Sequence, residues 1–175
     1  PASSLRSNEW DNEAKLWLAP FVMAGINTRI VRWSNELAGF EYGKEFLYSE
    51  VTSFPRGVKG YIKSLSMLIS LALTKILMSF RPTFLFLRKY ILPAPGQGPT
   101  KYERENGFFK ILLIGKSGVN KISCNVIGDS DPGYSGTAKM ITESALSIIL
   151  DQKDLPQKFG VLTPAAGIGL TLIKR

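Results

Sequence analysis

The run Gly128-Asp129-Ser130-Asp131-Pro132-Gly133-Tyr134-Ser135-Gly136-Thr137 carries residue types that open a helix onto a ligand. Asp129, Ser130 and Asp131 can accept from the orphan N–H groups of a first turn. Pro132 fits that turn or the one before it, and Gly133 and Gly136 clear space where a backbone or a ligand comes close. Ala138, Ile141, Ala145, Ile148 and Ile149 then recur at helical spacing. Such a helix start can receive an anion or a carbonyl oxygen; the same residues also make an ordinary capped helix under a sheet. A second constellation is Arg29, Arg32 and Glu36, at three- and four-residue spacings on one side of a helix that Asn27 can cap.

What is absent from the sequence narrows the chemistry. There is no histidine, which excludes a His-based triad, a His proton shuttle and His-containing metal sites within this chain. The single cysteine, Cys124, cannot form an internal disulfide. It falls in an alternating pattern and is expected as a small buried or half-buried hydrophobe. With 175 residues, 45% of them hydrophobic, the chain is long enough for one domain with a sizeable core. The net charge of +8 suits an anionic lipid or an acidic substrate. It does not indicate nucleic acid, since no basic repeat, finger motif or RNA-binding aromatic signature accompanies it. Gly167 and Gly169 form only an isolated Gly-x-Gly, and no G-x-G-x-x-G occurs.

The elements that must position these residues follow from periodicity. Residues 1–12 read as a polar surface segment, and residues 13–24 as either a strand or a short buried helix. A helix from Asn27 carries Ile30, Val31, Ser34 and Leu37. Residues 45–54 alternate as a strand. From Tyr61 to Met78 the chain is apolar nearly all round, with Lys59, Lys63, Ser66, Ser70 and Thr74 as a narrow polar stripe and Leu65, Leu68 and Leu71 on the face away from it. Arg81-Pro82 ends this run. Residues 56–92 thus form an apolar, basic helical region. It suits a surface that dips into a bilayer or lipid monolayer, or a buried helical hairpin between domains or at a dimer interface. Residues 93–99 are a loop, and residues 108–115 and 120–128 are two strands of a hairpin. A helix over about 133–150, a short strand at 159–162 and a terminal helix from Pro164 complete the chain.

Four motifs, in order and spanning nearly the whole chain, resemble the saccharopine dehydrogenase-like oxidoreductases. They are Ala19-Pro20-Phe21-Val22-Met23-Ala24 with Asn27-Thr28-Arg29-Ile30-Val31-Arg32 and Ser34-Asn35; Leu92-Pro93-Ala94-Pro95-Gly96-Gln97-Gly98-Pro99; the Asp129 to Met140 helix opening with Thr142 to Leu150 behind it; and Gly160-Val161-Leu162-Thr163-Pro164. Within that superfamily the chain looks most like the branch holding the trans-acting enoyl reductases and the animal saccharopine dehydrogenase-like protein. With Pro1 at its start and Arg175 closing what reads as an unfinished helix, it reads as a fragment.

The resemblance implies an α+β fold: a mixed or antiparallel sheet from the Phe46, Phe109, Ile122 and Val161 regions, covered by helices. This would be the non-Rossmann substrate and dimerisation region of a two-domain oxidoreductase, with residues 1–175 as a single C-terminal domain. It implies NAD or NADP for the parent protein and none for this fragment alone. The implied partners are the parent's own Rossmann domain, a second copy of the chain, and a membrane or lipid-droplet surface met through residues 56–92. The implied setting is intracellular. The parent chemistry is hydride transfer to or from a lipid-type substrate, to which the protein contributes orientation, exclusion of water and a polarising group. Arg29 and Arg32 are then candidates for holding a carboxylate or phosphate-like group, because guanidinium pairs bidentately with oxyanions. Asn27 and Asn35 are candidates for orienting a carbonyl. Tyr134 and Thr137, at the helix mouth, could donate to a substrate oxygen, and Lys139 could screen developing charge. The alternative reading is a membrane or lipid-droplet interaction module in which catalysis is weak or lost.

Overall fold

The computed structural model describes residues 7–94 and 96–175. The surface segment expected over residues 1–6, and Pro95 of the proline-glycine loop, lie outside the described residues. The chain is α+β and divides into two compact units. The first runs to Leu92 and takes in Lys158–Ala166; the second comprises Pro93–Gln157 and Gly167–Arg175.

In the first unit, β1 (Glu9–Asp11), β2 (Leu16–Pro20) and β3 (Val51–Phe54) form an antiparallel sheet in that order. Trp10 stands opposite Trp17, and Trp17 opposite Phe54. The β1–β2 turn closes on Asp11, whose carboxylate accepts from the amides of Glu13 (2.7 Å) and Ala14 (3.1 Å), the local hydrogen bonding that makes aspartate a turn residue. Leu18 and Ala19 of β2 are core residues. A short turn leads to α1 (Ala24–Leu37), which starts three residues before Asn27. Asn27 is therefore not the helix cap but a residue of its first turns, and its side chain is used elsewhere.

Helix α2 (Val58–Ser79) lays its first turns on β2 and β3, burying Gly60 and Ser64. A Cβ on Gly60 would stand 1.6 Å from the Pro55 carbonyl oxygen, so only glycine permits this approach. The Trp17 ring meets Trp10 and Tyr61 edge-on, at centroid distances of 5.4 and 4.9 Å, a preferred aromatic geometry. Extended backbone at Phe80 breaks the run, and α3 (Arg81–Tyr90) begins with Pro82 in its first turn. The helical region expected over residues 56–92 is thus two helices, with α2 packed against α3.

In the second unit, α4 (Lys101–Glu105) begins with a reciprocal capping box between Thr100 and Glu103. Those hydrogen bonds, led by the Thr100 amide, hold the Glu103 carboxyl below its ordinary range. Strands β4 (Phe109–Ser117) and β5 (Asn120–Gly128) pair as a two-stranded antiparallel hairpin whose turn uses Gly118 at φ 58°. Helix α5 (Ser135–Leu150) follows, and a 3₁₀ turn (Gly169–Lys174) ends the chain; α6 (Pro164–Gly167) has its first three residues in the first unit. Arg175 closes on Glu143 (3.3 Å) and Asp151 (3.1 Å).

Several expectations are corrected. The expected single sheet is two separate sheets. Phe46 and Val161 lie outside any strand, and residues 45–50 are irregular. Their alternation reflects side chains that pack locally, Phe46 tilting against Tyr42 and Tyr48, rather than a ladder. Cys124 is exposed, because neither face of the β4–β5 hairpin carries a covering layer among the described residues. On α2, Leu65, Leu68 and Leu71 are half-buried; the exposed apolar face is Ile62, Ile69, Leu73 and Ile76.

Candidate functional site

The first unit holds a cleft of about 190 Å³ at the start of α1. One wall is α1 itself, through Ala24, Gly25 and Thr28; the opposite wall is the pair Tyr48 and Ser49; Arg29 and Arg32 also line it. Gly25 has open space where a Cβ would be, so the lack of a side chain there keeps the cleft clear. Thr28 is buried and its hydroxyl donates to the Ala24 carbonyl at 2.6 Å. It is satisfied within the helix and offers the cleft no free proton. The Arg32 Nε donates to the Thr28 carbonyl at 3.2 Å, which ties the guanidinium to the helix while leaving its two terminal nitrogens to meet a ligand. Among the described residues, neither Arg29 nor Arg32 forms an ion pair with an acidic side chain. Two cations beside the first turns of a helix favour an anion there, by Coulomb attraction and by the sign of the helix dipole.

The opposite wall is built by a hydrogen-bonded chain. Tyr48 donates its hydroxyl to Glu50 Oε1 at 2.9 Å. Glu50 Oε2 accepts from the Asn27 side-chain amide at 2.8 Å. Burial first, then the hydrogen bond to Glu50 and its negative charge, push the Tyr48 hydroxyl up to about 12. Tyr48 therefore keeps its proton at neutral pH and directs it to Glu50, so what it presents to the cleft is a ring and an acceptor oxygen. The donors available to a ligand oxyanion are the two guanidinium groups and the exposed Ser49 hydroxyl.

Of the residues singled out in the sequence, Asn27, Arg29 and Arg32 sit together on α1 in this unit. Asn27 is tied to Glu50. Asn35 is buried and holds the turn after α1: its amide donates to the Gly43 carbonyl (3.0 Å) and its oxygen accepts from the Tyr42 amide (2.9 Å). That side chain is structural. Tyr134 and Thr137 belong to the second unit. The Tyr134 ring lies over Gly98, where a Cβ would fall 2.9 Å from it. The Thr137 hydroxyl donates to the Pro132 carbonyl at 2.6 Å. Ahead of α5, whose N-cap residue is Tyr134 with no side-chain cap, Asp131 closes the turn, accepting from the amides of Gly133, Tyr134 and Ser135 at 3.2, 2.6 and 3.1 Å. Desolvation acts to raise its carboxyl, but these three amides and the Arg104 charge outweigh it and hold the group below its ordinary value. The anion at that helix start is thus supplied by the chain itself.

Sequence reasoning missed Tyr48, Ser49 and Glu50. The signal was a polar Tyr-Ser-Glu run just before β3, which the alternation of residues 45–54 disguised as strand. A dinucleotide does not fit the described residues: every strand pairing among them is antiparallel, so no parallel strand–turn–helix unit forms to receive a pyrophosphate. Gly167 closes α6, and Gly169 opens a 3₁₀ turn beside Pro156.

Comparison with known proteins finds relatives that align over most of this chain. It is similar to proteins named as trans-acting enoyl reductases. A Mycobacterium tuberculosis protein provisionally so named is 36% identical over 169 residues. The trans-acting enoyl reductase of Mycobacterium ulcerans is 34% identical over 166 residues, and a Mycobacterium tuberculosis trans-acting enoyl reductase is 32% identical over 164. Each alignment covers 93% of this chain but only 39% of the relative. No family model matches the chain, and no solved structure matches it.

Proposed function

We propose that this chain is the substrate-side portion of a nicotinamide-dependent enoyl reductase of the saccharopine dehydrogenase-like type, acting on a lipid-type substrate. The observation that carries the reading is the α1 cleft, where Arg29 and Arg32 stand without acidic partners among the described residues opposite Tyr48. It is supported by the similarity to trans-acting enoyl reductases. In this reading the dinucleotide is held by the remainder of the parent protein, and it supplies the hydride when bound. The α1 guanidinium groups hold an oxyanion of the substrate, a phosphate or carboxylate remote from the double bond, and so orient the acyl chain. The Tyr48–Glu50–Asn27 chain fixes the wall against which it lies.

The test is oxidation of NADH or NADPH by the full-length protein with a 2-enoyl thioester. Arg29→Ala combined with Arg32→Ala should raise KM by about ten- to a hundredfold, since a hydrogen bond to a charged group contributes about 1.5–3 kcal/mol. The effect on kcat should be smaller. Unchanged KM in the double variant would contradict the reading.

A second reading is favoured by one specific observation. Helix α2 is long and apolar enough to cross a membrane by length and composition, and only 6% of its apolar window is buried. We infer from this a membrane-associated module, with α2 and α3 lying in a lipid surface. It is compatible with the first reading where the substrate is borne by a membrane. Flotation of the chain with phosphatidylcholine–phosphatidylserine vesicles tests it, and absence of flotation by the folded chain would remove it.

A further inference from the structure

A second cleft in the first unit, about 540 Å³, opens where α2 begins. Trp10, Trp17 and Tyr61 form its aromatic lining, with Val58 and Arg56 beside them. The three rings are the edge-to-face cluster at the β1–β2–α2 junction. Val58, the first residue of α2, is 73% exposed, and it begins an apolar face that continues through Ile62, Ile69, Leu73 and Ile76 at helical spacing. That face is not covered by β2, β3 or α3; Gly60 and Ser64, on the opposite side of the helix, make the packing contact. Charge along α2 and α3 has one sign, while Glu9 and Asp11 flank Trp10 on β1. No Asp or Glu occurs from Arg56 to Tyr102, while Arg56, Lys59, Lys63, Lys75, Arg81, Arg88 and Lys89 are all present and exposed.

We propose that the aromatic cleft seats the headgroup and glycerol region of an anionic phospholipid of a bilayer, with the exposed face of α2 lying in the same leaflet. The inference rests on the membrane reading above and adds to it a defined seat and orientation. Trp and Tyr rings combine an apolar body with a polar edge and favour the interface between headgroups and acyl chains. Arg56 stands at the rim, where its guanidinium meets the phosphate. The apolar helix face begins at the same cleft, so one lipid touches the aromatic cluster with its polar end and α2 with its chain. The run of basic residues selects an anionic leaflet.

The experiment uses the whole chain carrying Trp33→Phe, so that only Trp10 and Trp17 report. Flotation is measured with phosphatidylcholine vesicles with and without phosphatidylserine, and fluorescence quenching with lipids brominated high or low on the acyl chain. The proposal expects flotation that phosphatidylserine strengthens, and stronger quenching by the shallow bromine. Arg56→Gln should weaken partitioning by about fivefold, while Lys153→Gln, which removes the same charge in the other unit, leaves it unchanged. Ile69→Ser with Leu73→Ser, at exposed positions and with folding checked by circular dichroism, should abolish flotation. Flotation without tryptophan quenching, or with equal effects of the two charge variants, overturns the seat and leaves the α2 reading standing. Absence of flotation by the folded chain overturns both.

Discussion

The Asn27 amide donates to the Glu50 carboxylate across 2.8 Å, and this contact ties α1 to the segment that enters β3. The other Glu50 oxygen takes the Tyr48 proton. The wall facing Arg29 and Arg32 is therefore held through a single carboxylate, and its behaviour with pH follows. The Tyr48 hydroxyl is raised from 10.0 to about 12. A raised folded value means that its contribution to stability is complete below 10 and is lost as pH rises through about 12. Glu50→Gln removes the hydrogen bond to a carboxylate and the charge but not the burial, so the Tyr48 value should fall part of the way back toward 10. Tyrosine-selective NMR across the alkaline range measures this.

Gly25 separates the demands of the helix from those of the cleft. A Cβ at this position meets nothing within 4 Å. Gly25→Ala should stabilise the chain by about 0.5–1 kcal/mol through helix propensity. It should also narrow the cleft and weaken ligand binding. Urea denaturation beside a binding titration reads both effects; weaker binding without lost stability marks a site rather than a structural position.

Gly60 has the opposite environment. The 1.6 Å approach of a Cβ to the Pro55 carbonyl means that backbone must move. Gly60→Ala should destabilise the first unit by about 1–3 kcal/mol or more. It should also separate Tyr61 from Trp17, now 4.9 Å apart between centroids. Near-ultraviolet circular dichroism would show the loss of that aromatic cluster.

Beside Glu103, whose carboxyl is also held low, Asp131 contributes to the second unit's response to acid. Its carboxyl is held below its ordinary 3.8, so its contribution is present above that value and lost as pH falls through the lower folded one. Asp131→Ala should lower Tm by a few degrees at pH 7, since the carboxylate loses three hydrogen bonds from backbone amides in the turn before α5. The variant and the parent should converge as pH falls through that depressed folded value. A thermal melt series from pH 7 downward measures it.

Helices α1, α2 and α5, the β4–β5 hairpin and the arginine pair were legible because each rests on local periodicity or chemistry, whereas α4 (Lys101–Glu105) is too short to show a period. Arg29 and Arg32 share a face on any helix that contains both. Asp131 reads as a helix cap; its carboxylate does take its neighbours' amides, but in the turn ahead of α5, whose N-cap residue is Tyr134. What was not legible depends on pairing across the chain. Glu50 meets Asn27 over 23 residues, and no spacing rule reports that contact. Residues 45–50 alternate like a strand but find no partner strand. Cys124 looked buried because alternation normally means one covered face, and the described hairpin has none. At the start of α5 the Thr137 hydroxyl closes on the Pro132 carbonyl, a local contact that residue type alone does not announce, while Tyr134 is exposed.

The most direct test of the α1 cleft as an oxyanion site is NMR of the arginine Nε–H groups during titration of the chain with a 2-enoyl coenzyme A thioester. Saturable shifts of the Arg29 and Arg32 resonances are expected, with binding of the same thioester lost, by calorimetric titration, when both residues are replaced by Ala. Saturable binding that leaves both resonances unmoved, or no binding at all, would contradict it.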